Sequence, residues 1–89
     1  MLTIKFAKSF KKSYKKLSND EKKIFEVVSK KLQNNEVLEP KYRDHALIGE
    51  LKGYRECHLK PDLLLIYKKL EKELILYFLN IGSHSDLFK

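Results

Sequence analysis

Lys52-Gly53-Tyr54-Arg55-Glu56-Cys57-His58-Leu59-Lys60-Pro61-Asp62 is the stretch whose reading decides the fold. Tyr54–Leu59 reads as a strand, Lys60-Pro61-Asp62 as a tight turn, and Leu63–Tyr67 as the strand that returns. The turn has a mechanism: Pro61 fixes its own φ, and the Asp62 carboxylate can bond nearby backbone. His58 lies just before the turn and Asp62 just after it. The hairpin is expected to bring an imidazole and a carboxylate together at one rim of a sheet, as acid–base chemistry requires. Side chains alternate along a strand, so Tyr54, Glu56 and His58 share one face while Arg55, Cys57 and Leu59 share the other.

Downstream, a turn over Lys68–Lys72 leads into a further strand, Glu73–Ile81, which Gly82 ends. Leu63-Leu64-Leu65-Ile66-Tyr67 and Leu74-Ile75-Leu76-Tyr77-Phe78-Leu79 do not alternate, which suits strands buried on both faces or awaiting a partner. Ser83–Phe88 is a short polar-to-apolar tail. Upstream, Lys52-Gly53 is a turn signal, 41–48 is loop leading into a strand near Gly49–Leu51, and Glu39-Pro40 ends any helical tendency. Two helices precede it. Ala7, Phe10, Tyr14 and Leu17 share one helical face, and Ile24, Phe25, Val28 and Leu32 form the stripe of a second helix that runs to about Gln33. Ser18-Asn19-Asp20-Glu21 has the spacing of a capping box at the start of that second helix, and Asn34-Asn35 stops it. Leu2, Ile4 and Phe6 alternate with Thr3 and Lys5, the pattern of a half-buried strand. The order is β-α-α-β-β-β-β: an α+β domain over 1–89, with a helix hairpin packed on a mainly antiparallel sheet.

Eighty-nine residues with 43% apolar content supply one modest core. The formal charge is +7, with a sequence pI of about 9.5. Residues 1–34 hold ten Lys against Asp20, Glu21 and Glu26, which is the whole excess, and residues 35–89 are neutral overall. A charge placed in this way points to an anionic partner. One cysteine rules out an internal disulfide and fits a reducing compartment, so the expected location is the cytoplasm. There is no apolar run long enough to span a bilayer, and no membrane partner is expected.

Cys57 and His58 point apart, and no pair of His or Cys has zinc-like spacing, so neither metal nor cofactor is expected. Cys57 has no activating base on its own face and reads as a small core residue. His45, His58 and His84 all fall near predicted strand ends, where imidazoles can serve as acid or base. Lys8, Lys11, Lys12, Lys15 and Lys16 read either as a solvated helix face or as a phosphate-tracking surface. Tyr14, Tyr54, Tyr67, Tyr77 and Phe88 offer base-stacking surfaces, though most are expected in the core.

Three motifs stand in order: Tyr42-x-Asp44-His45-x-Leu47-x-Gly49, then Lys52-Gly53-Tyr54-Arg55-x-x-His58-x-x-Pro61-Asp62-x-x-x-Ile66-Tyr67, then Gly82-Ser83-His84-x-x-Leu87-Phe88. Together they closely resemble the YafQ branch of the RelE-like toxins, the toxin halves of type II toxin–antitoxin pairs. The motifs cover about residues 40–88, and the β-α-α beginning agrees in organisation. The resemblance implies a ribosome-dependent endoribonuclease that cuts mRNA and is silenced by a cognate antitoxin. It also implies active-site roles for His45, His58, Asp62, His84 and Phe88. On this reading His84 donates a proton, His58 and Asp62 are base and orienting partner, and His45 contacts phosphate or assists. Phe88 places a base. Two positions depart from the family pattern, Leu63 where a relative has Trp and Asn80 where it has Arg. Arg55, Lys52 or Arg43 can stand in as the cation that binds the substrate phosphate. The rival reading is a non-catalytic binding module of the same fold, either a gyrase-inhibiting toxin or an inactive relative that only binds its antitoxin.

Overall fold

The computed structural model of the chain describes residues 1–88. Ser18 and Glu21 form the expected capping box. The Ser18 hydroxyl accepts from the Glu21 N–H at 3.1 Å, and the Glu21 carboxylate accepts from the Ser18 N–H at 2.9 Å. Two backbone donors are satisfied there, and helix α2 runs from Asn19 to Gln33. It stops where the paired asparagines say it should, with Asn34 as its C-cap and Asn35 at a left-handed φ of 57°. Helix α1 covers Lys8–Tyr14, shorter than its apolar stripe suggests, because the chain already turns between Ser13 and Leu17. Phe10 and Tyr14 of α1 meet Phe25 of α2, with ring centroids 5.2 and 5.6 Å apart.

The strands are β1 (Thr3–Phe6), β2 (His45–Ala46), β3 (Arg55–Lys60), β4 (Leu63–Leu70) and β5 (Ile75–Gly82). They form one sheet in the order β1-β5-β4-β3-β2. Every neighbour is antiparallel except β1, which pairs parallel with β5 from Thr3↔Ile75 to Phe6↔Phe78. The five residues Leu63–Tyr67 are all buried, as their unbroken apolar run predicts. Val28 and Leu32 of α2 and Phe10 of α1 join Cys57, Leu65, Tyr67, Leu76 and Phe78 in one core. Each buried Val, Leu or Phe side chain among them contributes about 1.5–3 kcal/mol relative to exposure. Among the described residues no helix is long and apolar enough to cross a membrane.

Four local expectations give way. Gly49–Leu51 is a single 3₁₀ turn rather than a strand, with Gly49 at a φ of +73° that only glycine adopts readily. The strand of that region is His45–Ala46, held to Glu56 and Arg55. The turn expected over Lys68–Lys72 lies later, at Glu71–Leu74, because β4 continues to Leu70. The lysines stay in the ladder with their heads turned outward: Lys69 Nζ reaches Asn35 at 3.1 Å, and Lys68 Nζ lies 5.1 Å from the Tyr54 ring centre. Finally, the tail contains a one-turn helix, α3 (His84–Leu87), started by a capping box between Ser83 and Asp86.

Candidate active site

A row of rings crosses one rim of the sheet. His45 comes from β2, His58 from β3, and His84 and Phe88 from the turn and helix after β5. Successive ring centroids are 6.3, 5.9 and 6.4 Å apart. Strand register produces the row. His45 pairs with Glu56 in the sheet, and the fully buried Leu64 pairs with His58 on one side and with Gly82 on the other. The backbone turns after Gly82, where the space for a side chain is already taken by Asp86 at 3.3 Å. Ser83 then caps α3 and sets His84 over the sheet end.

Each imidazole has a defined neighbour. The Nδ1–H of His84 donates to Asp62 at 3.0 Å, and the His84 backbone N–H donates to the same oxygen at 3.1 Å. These two bonds, the backbone one first, hold the Asp62 carboxyl below the usual carboxylate range. Nε2 of His84 has no hydrogen-bond partner among the described residues. The hairpin therefore delivers Asp62 to His84, and not to His58 as its spacing suggests. The carboxylate beside His58 is Glu56, whose Oε1 lies 3.4 Å from His58 Nε2 and 3.6 Å from His45 Nε2. His45 Nδ1–H donates to the Arg43 carbonyl at 2.7 Å, which fixes the ring with Nε2 towards Glu56. Glu56 is only 5% exposed. It was not among the residues the motifs single out, although strand alternation already puts it on the His58 face.

The three cations expected to bind the substrate phosphate diverge. Arg55 is on the opposite face of β3, with Nε 3.3 Å from Asp44, whose Oδ1 also accepts the Tyr67 hydroxyl at 2.6 Å. Burial, then the Asp44 carboxylate, pushes the Tyr67 phenol well above its ordinary range, so the hydroxyl stays a donor. Lys52 is exposed and follows the 3₁₀ turn Gly49–Leu51, closing it through its backbone N–H. Arg43 lies two residues before His45 and lines a cleft that His58 also lines. Asn80 is engaged elsewhere. A bulge leaves Leu79 without a partner in β4, and the Asn80 Oδ1 accepts from the Ser13 hydroxyl at 2.7 Å and the Ile81 N–H at 2.9 Å.

Cys57 is fully buried, and its thiol is pushed far up by burial first and by the charge of Asp44 next, which leaves it inert. Among the described residues no three His, Cys, Asp or Glu side chains converge as a metal site. What the row offers is two imidazoles 5.9 Å apart, His58 and His84, each backed by a different carboxylate. Such a pair can take a proton on one side of a phosphate and give one on the other.

The family described as a bacterial toxin of type II toxin–antitoxin systems, YafQ, matches residues 2–89. The match extends through the β-α-α beginning. The mRNA interferase toxin YafQ of Escherichia coli strain B / BL21-DE3 is 35% identical over 88 residues, covering 96% of this chain and 94% of that one. A metal-bound toxin from Helicobacter pylori has a crystal structure with a TM-score of 0.88 at 44% identity, covering 99% of this chain and 100% of that one. YafQ in the E. coli DinJ–YafQ complex gives a TM-score of 0.84 at 32% identity, covering 100% of both chains.

Proposed function

This chain belongs to the YafQ family of toxins of type II toxin–antitoxin systems, and from that premise we propose that it is an endoribonuclease that cuts mRNA through the ribose 2′-OH. The observation that carries the chemistry is the pair His58 and His84 with their separate carboxylates. His58, steadied by Glu56, takes the proton from the 2′-OH. The freed oxygen attacks the adjacent phosphorus, and the bond to the 5′ oxygen breaks. His84, held through Nδ1 by Asp62, gives the proton on Nε2 to that departing oxygen. The products are a 2′,3′-cyclic phosphate and a 5′-hydroxyl, and the two rings exchange roles in proton bookkeeping without any further reagent. His45 shares Glu56 with His58 and assists by helping to hold that carboxylate in place, while Phe88, 44% exposed at the end of the row, receives a base.

The E. coli relative is found in complex with DinJ, and by the same reasoning this chain is silenced by a cognate antitoxin encoded beside it. The ribosome is the place of action that suits the lysine excess of residues 1–34, since ribosomal RNA presents a dense phosphate surface. A cytoplasmic site follows from that target. The exposed lysines Lys8, Lys11, Lys12, Lys15 and Lys16 support this placement.

The test is expression of the chain without its neighbour, with mRNA ends mapped and growth followed. Wild type is expected to leave 5′-hydroxyl ends and arrest growth. His84→Ala should lower cleavage by about 10²–10⁴-fold. Its melting temperature should stay near wild type, because the backbone bond from residue 84 to Asp62 survives. Full toxicity in a well-folded His84→Ala protein rules out the acid assignment. Antitoxin binding without any cleavage by wild type instead favours the non-catalytic reading, which the commitment of Asn80 to Ser13 would then explain.

A further inference from the structure

Beyond Glu56, strand β3 has no strand on its outer side, because β2 pairs only at His45↔Glu56 and Ala46↔Arg55. On that side β3 meets the turn Pro40–Tyr42 and α2, and residues of all three line a cleft of about 460 Å³. That volume falls within the roughly 300–1,000 Å³ span of small-ligand sites. Its walls divide by chemistry. Ile24, Leu59 and Pro61 supply apolar surface, and Lys41 and Arg43 supply charge. His58 is also part of the lining, so the cleft and the ring row share a residue.

The cations there differ in how free they are. Lys60 is paired with Asp20 at 3.2 Å. Lys41 has only a 4.0 Å approach to Glu39, a carboxylate that Lys31 already holds at 2.8 Å. Among the described residues Arg43 makes no ion pair within the chain. It also adopts a left-handed φ of 48°, uncommon for a non-glycine residue, and its carbonyl fixes His45. The residue that lines the cleft is thus the one that orients a ring of the row.

We propose that this cleft is a nucleotide subsite: it holds the RNA nucleotide next to the phosphate that is cut, with the base between Ile24, Leu59 and Pro61 and a flanking phosphate on Lys41 and Arg43. The proposal rests on the ribonuclease reading given above. His58, Leu59 and Lys60 line the cleft and have no strand partner on that side, so their backbone groups can read the edge of a base as they would a neighbouring strand. An acidic peptide could also use such an edge, but Cys57 is fully buried and only His58, Leu59 and Lys60 of β3 line the cleft, too short a run for a paired peptide strand. The cleft therefore gives the enzyme a base preference at one position beside the cut.

The four nucleoside 3′-monophosphates test this without needing cleavage or a ribosome. Titrated into the isotope-labelled full chain, they should shift the amide signals of Ile24, Tyr42, Leu59 and Lys60 saturably. Affinities should differ at least threefold between the best and worst base. The double variant Lys41→Gln, Arg43→Gln should weaken the best ligand at least threefold, while its spectrum otherwise remains that of the folded wild type. In cells the same variant should blur the base preference beside the mapped cuts. Shifts confined to His45, His58 and His84, with cleavage intact, overturn the subsite and leave the ribonuclease reading standing. Tighter, saturable binding of hexaglutamate to the same amides assigns the cleft to a protein partner and overturns it too. No mRNA cleavage by wild type removes both readings together.

Discussion

Replacing Glu56 by glutamine keeps the size of the side chain and removes its charge, which separates packing from positioning. Two imidazoles share this one buried carboxylate, so the variant should leave the fold intact and loosen both rings. Misplacement of this kind can cost about 10²-fold in rate. Single-turnover cleavage beside a melting curve checks it, and an unchanged rate would return Glu56 to a purely structural role. Asp62 makes a second prediction, in pH. Its folded pKa is depressed by the His84 backbone N–H and ring, so the stability it contributes is present above the unfolded value, about 4. That contribution is lost as pH falls through the folded value. Melting temperatures of wild type and Asp62→Asn should therefore differ most at neutral pH and converge in acid. Divergence in acid would contradict the arrangement. The histidines and Asp62 were legible as motif positions, whereas their pairing was not. Sequence distance favours a His58–Asp62 contact, but the choice of partner depends on where the turn after Gly82 puts residue 84, and hairpin spacing contains no information on that.

At the level of elements, Ser18 is the most exposed to test. Its capping box starts α2, which carries Phe25, Val28 and Leu32 into the core. Ser18→Ala should cost about 1 kcal/mol. For a domain of this size that lowers the melting temperature by roughly 4–8 °C. Calorimetry checks it, with cleavage by the folded protein expected to be unchanged. Caps, stripes and the hairpin could be read in advance because each rests on residues three or four apart, or on alternation. Two features could not. The parallel pairing of β1 with β5 joins segments far apart in the chain, and nothing in either segment's own pattern specifies its neighbour. Likewise Lys68 and Lys69 read as a turn because they are charged, yet their backbones stay in the β4–β5 ladder and only their side-chain heads reach water or a neighbour.

Along the whole chain the charge is uneven, with the excess in residues 1–34 and the ring row in the neutral remainder. If the lysines of the first helix region steer the protein to RNA, changing Lys8, Lys12 and Lys16 to Gln should flatten the salt dependence of ribosome binding. The slope of log affinity against log salt should fall by about 2 for three lost contacts to single strands. Melting should hardly move, since all three lysines are exposed, and an unaltered slope would mark them as solvated surface only. The pairing of Thr3 with Ile75 has a consequence in time. The partner of residue 3 is made 72 positions later, 75 − 3, so the first strand waits for most of the chain to be synthesised. At translation rates of about 5–20 residues per second this delay is roughly 4–14 s. Over that interval the nascent chain has no closed sheet, and His84 has not yet been added beside His58. A ribonuclease harmful to the cell that makes it is thus without its paired rings until its last strand has been made.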